Sequence, residues 1–196
     1  ARRLPRAPSQ LMRHSLGGVQ QSSLQRLRIP MRIHCAECGE EHDLSAGEIG
    51  FSLPDAYHVL DEGERTRRGE ADSDLCRLDD RRFIRGTVCL PILGEGRSFC
   101  WGVWAEIART SFKRYLELFS DPLQNREPPF SGHLANELPG YSSTLGLEMR
   151  ITLVSETERP QFTVLTDHNL AVEQGVGIRL ERVLELMSPF IHANGG

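Results

Sequence analysis

Two cysteines near the start of the sequence have the spacing of metal ligands. Cys35 and Cys38 form a Cys-x-x-Cys pair, and Gly39 follows at once. Two thiolates three residues apart can turn toward one tetrahedral ion, and a glycine lets the backbone fold back beneath it. The spacing therefore indicates a metal knuckle that supplies half of a structural zinc site.

A closed structural zinc site needs two ligands besides Cys35 and Cys38. We expect them to be His42, four residues past Cys38, and Cys76, which would anchor the poorly patterned segment 45–80. Two other interpretations of the Cys-x-x-Cys pair stay open. It can be a redox pair, although that motif usually opens a helix in a thioredoxin-like βαβ unit, or it can be two free thiols without a metal.

The number of cysteines and the surroundings of the remaining ones indicate the cellular compartment of the protein. The chain has five cysteines, and it lacks the apolar region of a secretory signal peptide. An odd number of cysteines in such a chain argues for a reducing compartment and against a disulfide framework. We interpret Cys89 and Cys100, which lie among apolar neighbours, as buried small hydrophobic residues. We therefore expect a cytoplasmic protein.

A second group of residues has the chemistry to bind an anion or move a proton. Arg85 and Trp104 would combine an anion-binding guanidinium with the floor of a pocket, and His168 with Glu173 or Asp167 would supply a general base and its orienting carboxylate. Each also has a structural interpretation, as a packed aromatic, an extended arginine, a helix cap or a solvated helix face. Because the sequence contains no phosphate loop, nucleophile elbow or His-Glu-x-x-His motif, the case for an enzyme is weak.

The elements that must position these residues follow from hydrophobic periodicity and turn residues. The pattern predicts, in chain order, a short strand entering the knuckle (31–42), a partial helix (54–68), a β-hairpin (82–92 with 98–106), a helix (110–119), two antiparallel strands (144–154 and 161–165), a short helix (170–174) capped by Asp167, and a final helix (178–187) stopped by Pro189. Because hairpins and helices occur in blocks, we predict an α+β fold. Its sheet is mainly antiparallel around a central β-hairpin, with an N-terminal Cys-x-x-Cys knuckle and a C-terminal helix.

Charge is distributed unevenly along the 196 residues, whose net charge is -4. Residues 1–30 contain six arginines and no Asp, Glu or Lys, which leaves 17 basic and 27 acidic residues, a net charge of -10, for the remainder. We expect residues 1–30 to be a disordered leader without function upstream of a native start at Met31. A transit peptide and a phosphate-binding arm are the alternatives. Residues 31–190 would then form a single globular domain.

The same charge and hydropathy limit the classes of partner. An acidic folded region has no general attraction to nucleic acid or anionic lipid. No stretch approaches the roughly 18 consecutive apolar residues of a membrane span. We therefore expect neither a nucleic-acid-binding protein nor a membrane protein.

Taken together, these motifs resemble a bacterial family known as domain of unknown function 2199, over about residues 31–188. The resemblance is carried by Cys35-x-x-Cys38-Gly39-x-x-His42, Asp74-Leu75-Cys76, Phe83-Ile84-Arg85-Gly86, Trp101-Gly102-Val103-Trp104, Pro128-Pro129, Leu138-Pro139-Gly140-Tyr141, Arg159-Pro160 and Asp167-His168-x-Leu170-Ala171-x-Glu173-Gln174. It implies that the first two cysteines, the histidine and the Asp-x-Cys cysteine recur, which favours zinc. Cys89 and Cys100 do not match recurring family cysteines, and the resemblance implies no established activity.

Two functions remain as expectations. The first is a zinc-stabilised cytoplasmic binding or interaction module whose acidic surface suits a basic protein partner. The second is a small hydrolase or transferase that uses His168 with Glu173 or Asp167 beside Arg85. The second function requires these side chains to converge in one cleft.

Overall fold

The computed structural model describes residues 32–34, 41–43 and 48–191, which belong to two compact units divided after Gly47. In the first unit, β1 (Arg32–His34) pairs antiparallel with β2 (Glu41–Asp43). The predicted cysteine knuckle falls on residues 35–40, which lie outside the described residues.

The second unit contains both helices and strands, which confirms the α+β class. Its elements are β3 (Glu48–Gly50), α1 (Asp55–His58), α2 (Glu62–Arg68), β4 (Gly69–Ala71), β5 (Leu75–Leu78), β6 (Arg81–Ile92), β7 (Arg97–Ile107), α3 (Arg109–Leu118), a 3-10 turn (Gln124–Arg126), β8 (Phe130–Leu134), β9 (Glu148–Thr152), β10 (Gln161–Val164), α4 (Asn169–Val176) and α5 (Leu180–Ile191).

Five strands of this unit close into a mixed barrel. Strands β6 to β10 follow one another as antiparallel neighbours except at the closure, where β10 pairs parallel with β6 through Gln161 opposite Thr87. Strand β3 adds to β7 in parallel, and β5 and β4 extend antiparallel from β6. The sheet is therefore mixed, with two parallel pairings that the sequence analysis did not predict.

The predicted β-hairpin is confirmed as β6 and β7, which are joined across ten residue pairs. One face of this hairpin carries Val88, Trp101 and Val103, all fully buried. Gly86 lies on the same face, and a Cβ at this position would come within 2.3 Å of the Phe162 ring. Glycine is thus required here, because it admits an aromatic ring from β10 where the barrel closes.

The predicted helix over residues 54–68 is interrupted in the structure. Helix α1 ends at His58, and α2 begins after Asp61, whose carboxylate accepts a hydrogen bond from the Glu64 amide at 2.8 Å. The same segment, 45–80, also contains the strands β4 and β5, which its polar composition did not reveal. Their local β-propensity is weak, but β5 gains hydrogen bonds and side-chain contacts by pairing with the long strand β6, and β4 gains them by pairing with β5.

Two predicted boundaries near the C-terminus were wrong. Helix α4 is capped by His168 and not by Asp167. Pro189 lies inside α5 and does not stop it, because a proline in the last turn removes only one hydrogen bond. The helix end is also held by Phe190, whose ring lies 6.0 Å from that of Trp101.

Candidate functional site

His168 is held by hydrogen bonds at both ring nitrogens. Its Nδ1 accepts a hydrogen bond from the Leu170 amide at 3.1 Å, which caps helix α4. Because Nδ1 is the acceptor, the neutral ring carries its proton on Nε2 and donates it to the Ser142 carbonyl at 2.6 Å. The ring therefore ties the loop around Ser142 to the start of the helix.

Glu173 is likewise engaged at both carboxylate oxygens. The Tyr141 hydroxyl donates to Oε2, and Arg182 Nε donates to Oε1 at 2.9 Å. Burial, together with the hydrogen bond to Glu173, raises the pKa of the Tyr141 phenol. The phenol thus remains protonated as the donor to the carboxylate.

Arg182 completes this arrangement from helix α5. Its guanidinium lies 5.2 Å from the centroid of the Tyr141 ring and donates to the Gly140 carbonyl at 2.8 Å. Gly140 has a φ of 83°, a conformation that favours glycine. We call the four side chains that meet here, Tyr141, His168, Glu173 and Arg182, the Tyr141 cluster. The cluster fastens the loop over residues 138–146 to helices α4 and α5.

Arg85 and Trp104 lie opposite each other in the β6–β7 hairpin, in a different neighbourhood. Arg85 Nη1 donates to the Ser73 carbonyl at 3.4 Å. Trp104 is fully buried, and its indole Nε1 donates to the Phe51 carbonyl at 3.0 Å. The structure thus brings His168 and Glu173 together in the Tyr141 cluster and places Arg85 and Trp104 elsewhere.

Cys76 is a free cysteine at the centre of an apolar group that we call the Trp104 core. Its fully buried side chain packs with Tyr57, Leu78, Phe83, Trp104 and Ala135. Burial in this surrounding raises the pKa of the Cys76 thiol to about 12. These contacts account for Cys76 as a core side chain.

The predicted metal ligands are only partly covered by the structure. Cys35 and Cys38 lie outside the described residues, and His42 is described only as a position in β2, opposite Ile33. Among the described residues, no group of three or more His, Cys, Asp or Glu side chains is placed to hold a metal ion.

A comparison with known protein families identifies the family of this chain. Residues 34–178 match the family described as an uncharacterized protein conserved in bacteria, DUF2199. The chain belongs to this family. Searches of curated proteins and of solved structures found no significant match. Within the part of the chain that the structure describes, no helix has the length and apolar character needed to cross a membrane.

In this DUF2199 member, Cys89 and Cys100 form a disulfide bond. The expectation that both are buried, unbonded small hydrophobic residues was wrong, because both are half-buried and joined. The cause is the register of the hairpin, which sets Cys89 directly opposite Cys100.

Asn136 is a buried polar residue to which the sequence analysis assigned no role. Its Oδ1 accepts from the Trp104 amide at 2.8 Å, and its Nδ2 donates to the Leu53 carbonyl at 2.9 Å and to Asp55 Oδ1 at 2.8 Å. The side chain thus joins three separate segments of this DUF2199 domain. The only sequence signal for this role is an amide residue two positions before the Leu138-Pro139-Gly140-Tyr141 motif.

Proposed function

We propose that the protein is a zinc-stabilised binding or interaction module of the cytoplasm and not an enzyme. The observation that carries this proposal is the Tyr141 cluster. The residues with the best catalytic chemistry, His168 and Glu173, use both ring nitrogens and both carboxylate oxygens in bonds within the chain. A histidine acts as a general base through a free ring nitrogen, and both nitrogens of His168 are already bonded within the chain, so these contacts favour a structural role.

The pairing of β1 with β2 supports the zinc part of the proposal. His34 lies opposite Glu41, so the connection between the two strands consists of residues 35–40, which contain both cysteines of the Cys-x-x-Cys pair. His42 follows in β2. Thiolate and imidazole groups are the usual ligands of structural zinc, and zinc binding contributes directly to the folding of small domains.

In this proposal Cys35, Cys38 and His42 hold the ion. A closed structural site needs a fourth protein side chain besides these three. Cys76 is left out of the set, because its contacts in the Trp104 core already account for it. The zinc supplies stability to the hairpin and no reaction chemistry.

The surface charge indicates the kind of partner. Residues 31–196 carry 17 basic and 27 acidic side chains, a net charge of -10. Complementary charge steers association and selects partners. We expect the partner to be a basic protein, and we expect their association to weaken as salt concentration rises.

Metal analysis of the full chain, purified without chelator, tests the proposal. We expect about one zinc ion per chain in the wild type, none in Cys35→Ser, and an unchanged content in the matched control Cys76→Ala. Wild-type protein without zinc, or a Cys35→Ser variant that retains it, would remove the metal site. Loss of zinc from Cys76→Ala as well would contradict the three-ligand set.

One observation favours the alternative of a small hydrolase or transferase. The rings of Tyr141 and His168 lie 6.2 Å apart, and Tyr141 bonds Glu173, so three groups that can move protons are neighbours. His168→Asn separates the two functions, since asparagine caps a helix well but is not a base. A hydrolytic activity on ester or phosphoester substrates that this variant abolishes at unchanged stability would establish the enzyme.

A further inference from the structure

The disulfide between Cys89 and Cys100 joins two strands that already pair with each other. The two cysteines are directly opposite in the antiparallel register, and their Cα atoms lie 4.0 Å apart. The backbone pairing therefore holds the two side chains in contact whether or not the sulfurs are bonded. Breaking or forming this bond requires no movement of the strands.

Both sulfur-bearing residues are accessible to a reagent. Cys89 and Cys100 are half-buried, whereas the third described cysteine, Cys76, is fully buried. Because side chains alternate along a strand, the flanking positions on the same face belong to the next pairs in register. These positions carry small or short side chains: Thr87, Pro91, Ser98 and Gly102. Within the hairpin the disulfide thus has little side-chain cover, and on the other side of β7 the register places Glu48 of β3 beside Cys100.

The bond stabilises the hairpin less than a long-range cross-link would. It joins residues only 11 positions apart, and the entropic gain from a cross-link grows with the length of the loop it closes. Ten residue pairs hold the same two strands. The hairpin tip is also fixed independently, because Leu93 donates to the Ile178 carbonyl at 2.9 Å and Ile178 donates to the Pro91 carbonyl at 2.7 Å.

We propose that Cys89 and Cys100 are a reversible redox site that a dithiol reductant opens, and a small disulfide oxidant closes, in the folded protein. Disulfides that a thiolate can reach exchange with thiols more readily than buried ones. The buried Cys76 takes no part, since exchange needs an accessible thiolate. The site therefore has two states, one dithiol and one disulfide, on an unchanged fold.

The exchange proceeds in two steps. One thiolate of the dithiol attacks the Sγ of either cysteine, the Cys89–Cys100 bond breaks, and the other cysteine leaves as a thiolate that takes up a proton. The second thiolate of the reductant then attacks its own sulfur in the mixed disulfide. This releases the second cysteine as a thiol and yields the oxidised, cyclic reductant. Two electrons and two protons pass from the reductant to the protein.

Alkylation of the full native chain after treatment with dithiothreitol tests this proposal, with peptide mass mapping to locate the labels. We expect Cys89 and Cys100 to be labelled together, at least about tenfold faster than Cys76, while far-ultraviolet circular dichroism stays native. Removing the reductant and adding oxidised glutathione restores the disulfide and blocks labelling of both residues.

The double variant Cys89→Ser/Cys100→Ser is the matched control, and we expect it to keep the native spectrum with no response to reductant. Three results would overturn the proposal: labelling of the pair only in denaturant, loss of the native spectrum on reduction, or failure of the double variant to fold. Any of these would make the bond a structural cross-link. A pair that oxidised glutathione cannot close would equally exclude a redox site.

Discussion

Two regions of the second unit fasten irregular segments to the barrel, and they do so by different means. The Trp104 core holds the segment 51–60 through buried and partly buried apolar contacts and the hydrogen bonds of the fully buried Asn136. The Tyr141 cluster holds the loop 138–146 through half-buried polar side chains. Buried hydrogen bonds cannot be replaced by water, whereas half-buried ones can. The same kind of bond should therefore stabilise the Trp104 core more than the Tyr141 cluster.

The largest expected effect is the response of the Trp104 core to alkaline pH. The pKa of Cys76 is raised from 9.0 to about 12 in the folded protein, so the unfolded chain releases this proton first. The free energy of unfolding should be fully retained below pH 9 and fall, by on the order of 4 kcal/mol from this group, as pH approaches 12. Urea unfolding at stepped pH measures this decline.

The variant Cys76→Ala is the control for this alkaline decline. It removes the titrating thiol while the tyrosines with raised pKa values, Tyr57, Tyr115 and Tyr141, stay in place. Its pH dependence should be distinctly shallower than that of the wild type. An identical slope in the two proteins would show that Cys76 is not desolvated as described.

The next effect concerns the buried amide. Asn136→Ala leaves the Trp104 amide, the Leu53 carbonyl and the Asp55 carboxylate without this partner. Chemical denaturation should show a loss of about 3 kcal/mol in the free energy of unfolding. The exposed Ser131→Ala, in the strand that leads to Asn136, should change it by less than about 0.5 kcal/mol. Similar small losses in both variants would place Asn136 outside the core.

In the Tyr141 cluster, removal of one hydroxyl should cost less. Tyr141→Phe deletes the bond to Glu173 but keeps the ring beneath Arg182. We expect a loss of about 2 kcal/mol in the free energy of unfolding, since a hydrogen bond to a charged group stabilises more than a neutral one. Ser142→Ala, an exposed neighbour, is the control and should leave stability unchanged. A loss above that of Asn136→Ala would reverse the ranking of the two regions.

The smallest effect is expected at the helix cap. His168→Ala should lose about 1 kcal/mol, because the Leu170 amide loses its acceptor, while His168→Asn should recover most of that loss. Thermal denaturation of the two variants measures the difference. Equal losses in both would mean that the bond to Ser142, and not the cap, gives His168 its structural effect.

Sequence reasoning works well where the signal is local. Runs of β-branched and apolar residues predict β6 and β7, and alternation predicts β9 and, next to it, its partner β10. The turn between β6 and β7 uses Gly94 and Gly96 at φ values of 80° and 62°. Closure of the barrel has no local signal, since it depends on one parallel contact near Thr87 and on the space that Gly86 leaves for Phe162. Tertiary packing, and not the hydrophobic periodicity of the sequence, therefore determines whether the barrel closes.

The candidate site shows the same division. His168 and Glu173 are close in sequence on one helix, and their proximity could be predicted. Their partners Tyr141 and Arg182 could not, because they arrive on a loop and on a second helix. In the same way, strand alternation predicts the face of the sheet on which Arg85 lies. It does not predict that the Ser73 carbonyl accepts a hydrogen bond from Arg85.

A double-mutant cycle across Tyr141 and Glu173 tests most directly whether this group fastens the loop to the helices. The free energy of unfolding is measured for the wild type, Tyr141→Phe, Glu173→Ala and the double variant. We expect the double variant to lose less than the sum of the two single losses, with a coupling energy of about 1 to 2 kcal/mol. Strictly additive losses would contradict it, because the two side chains would then stabilise the fold independently.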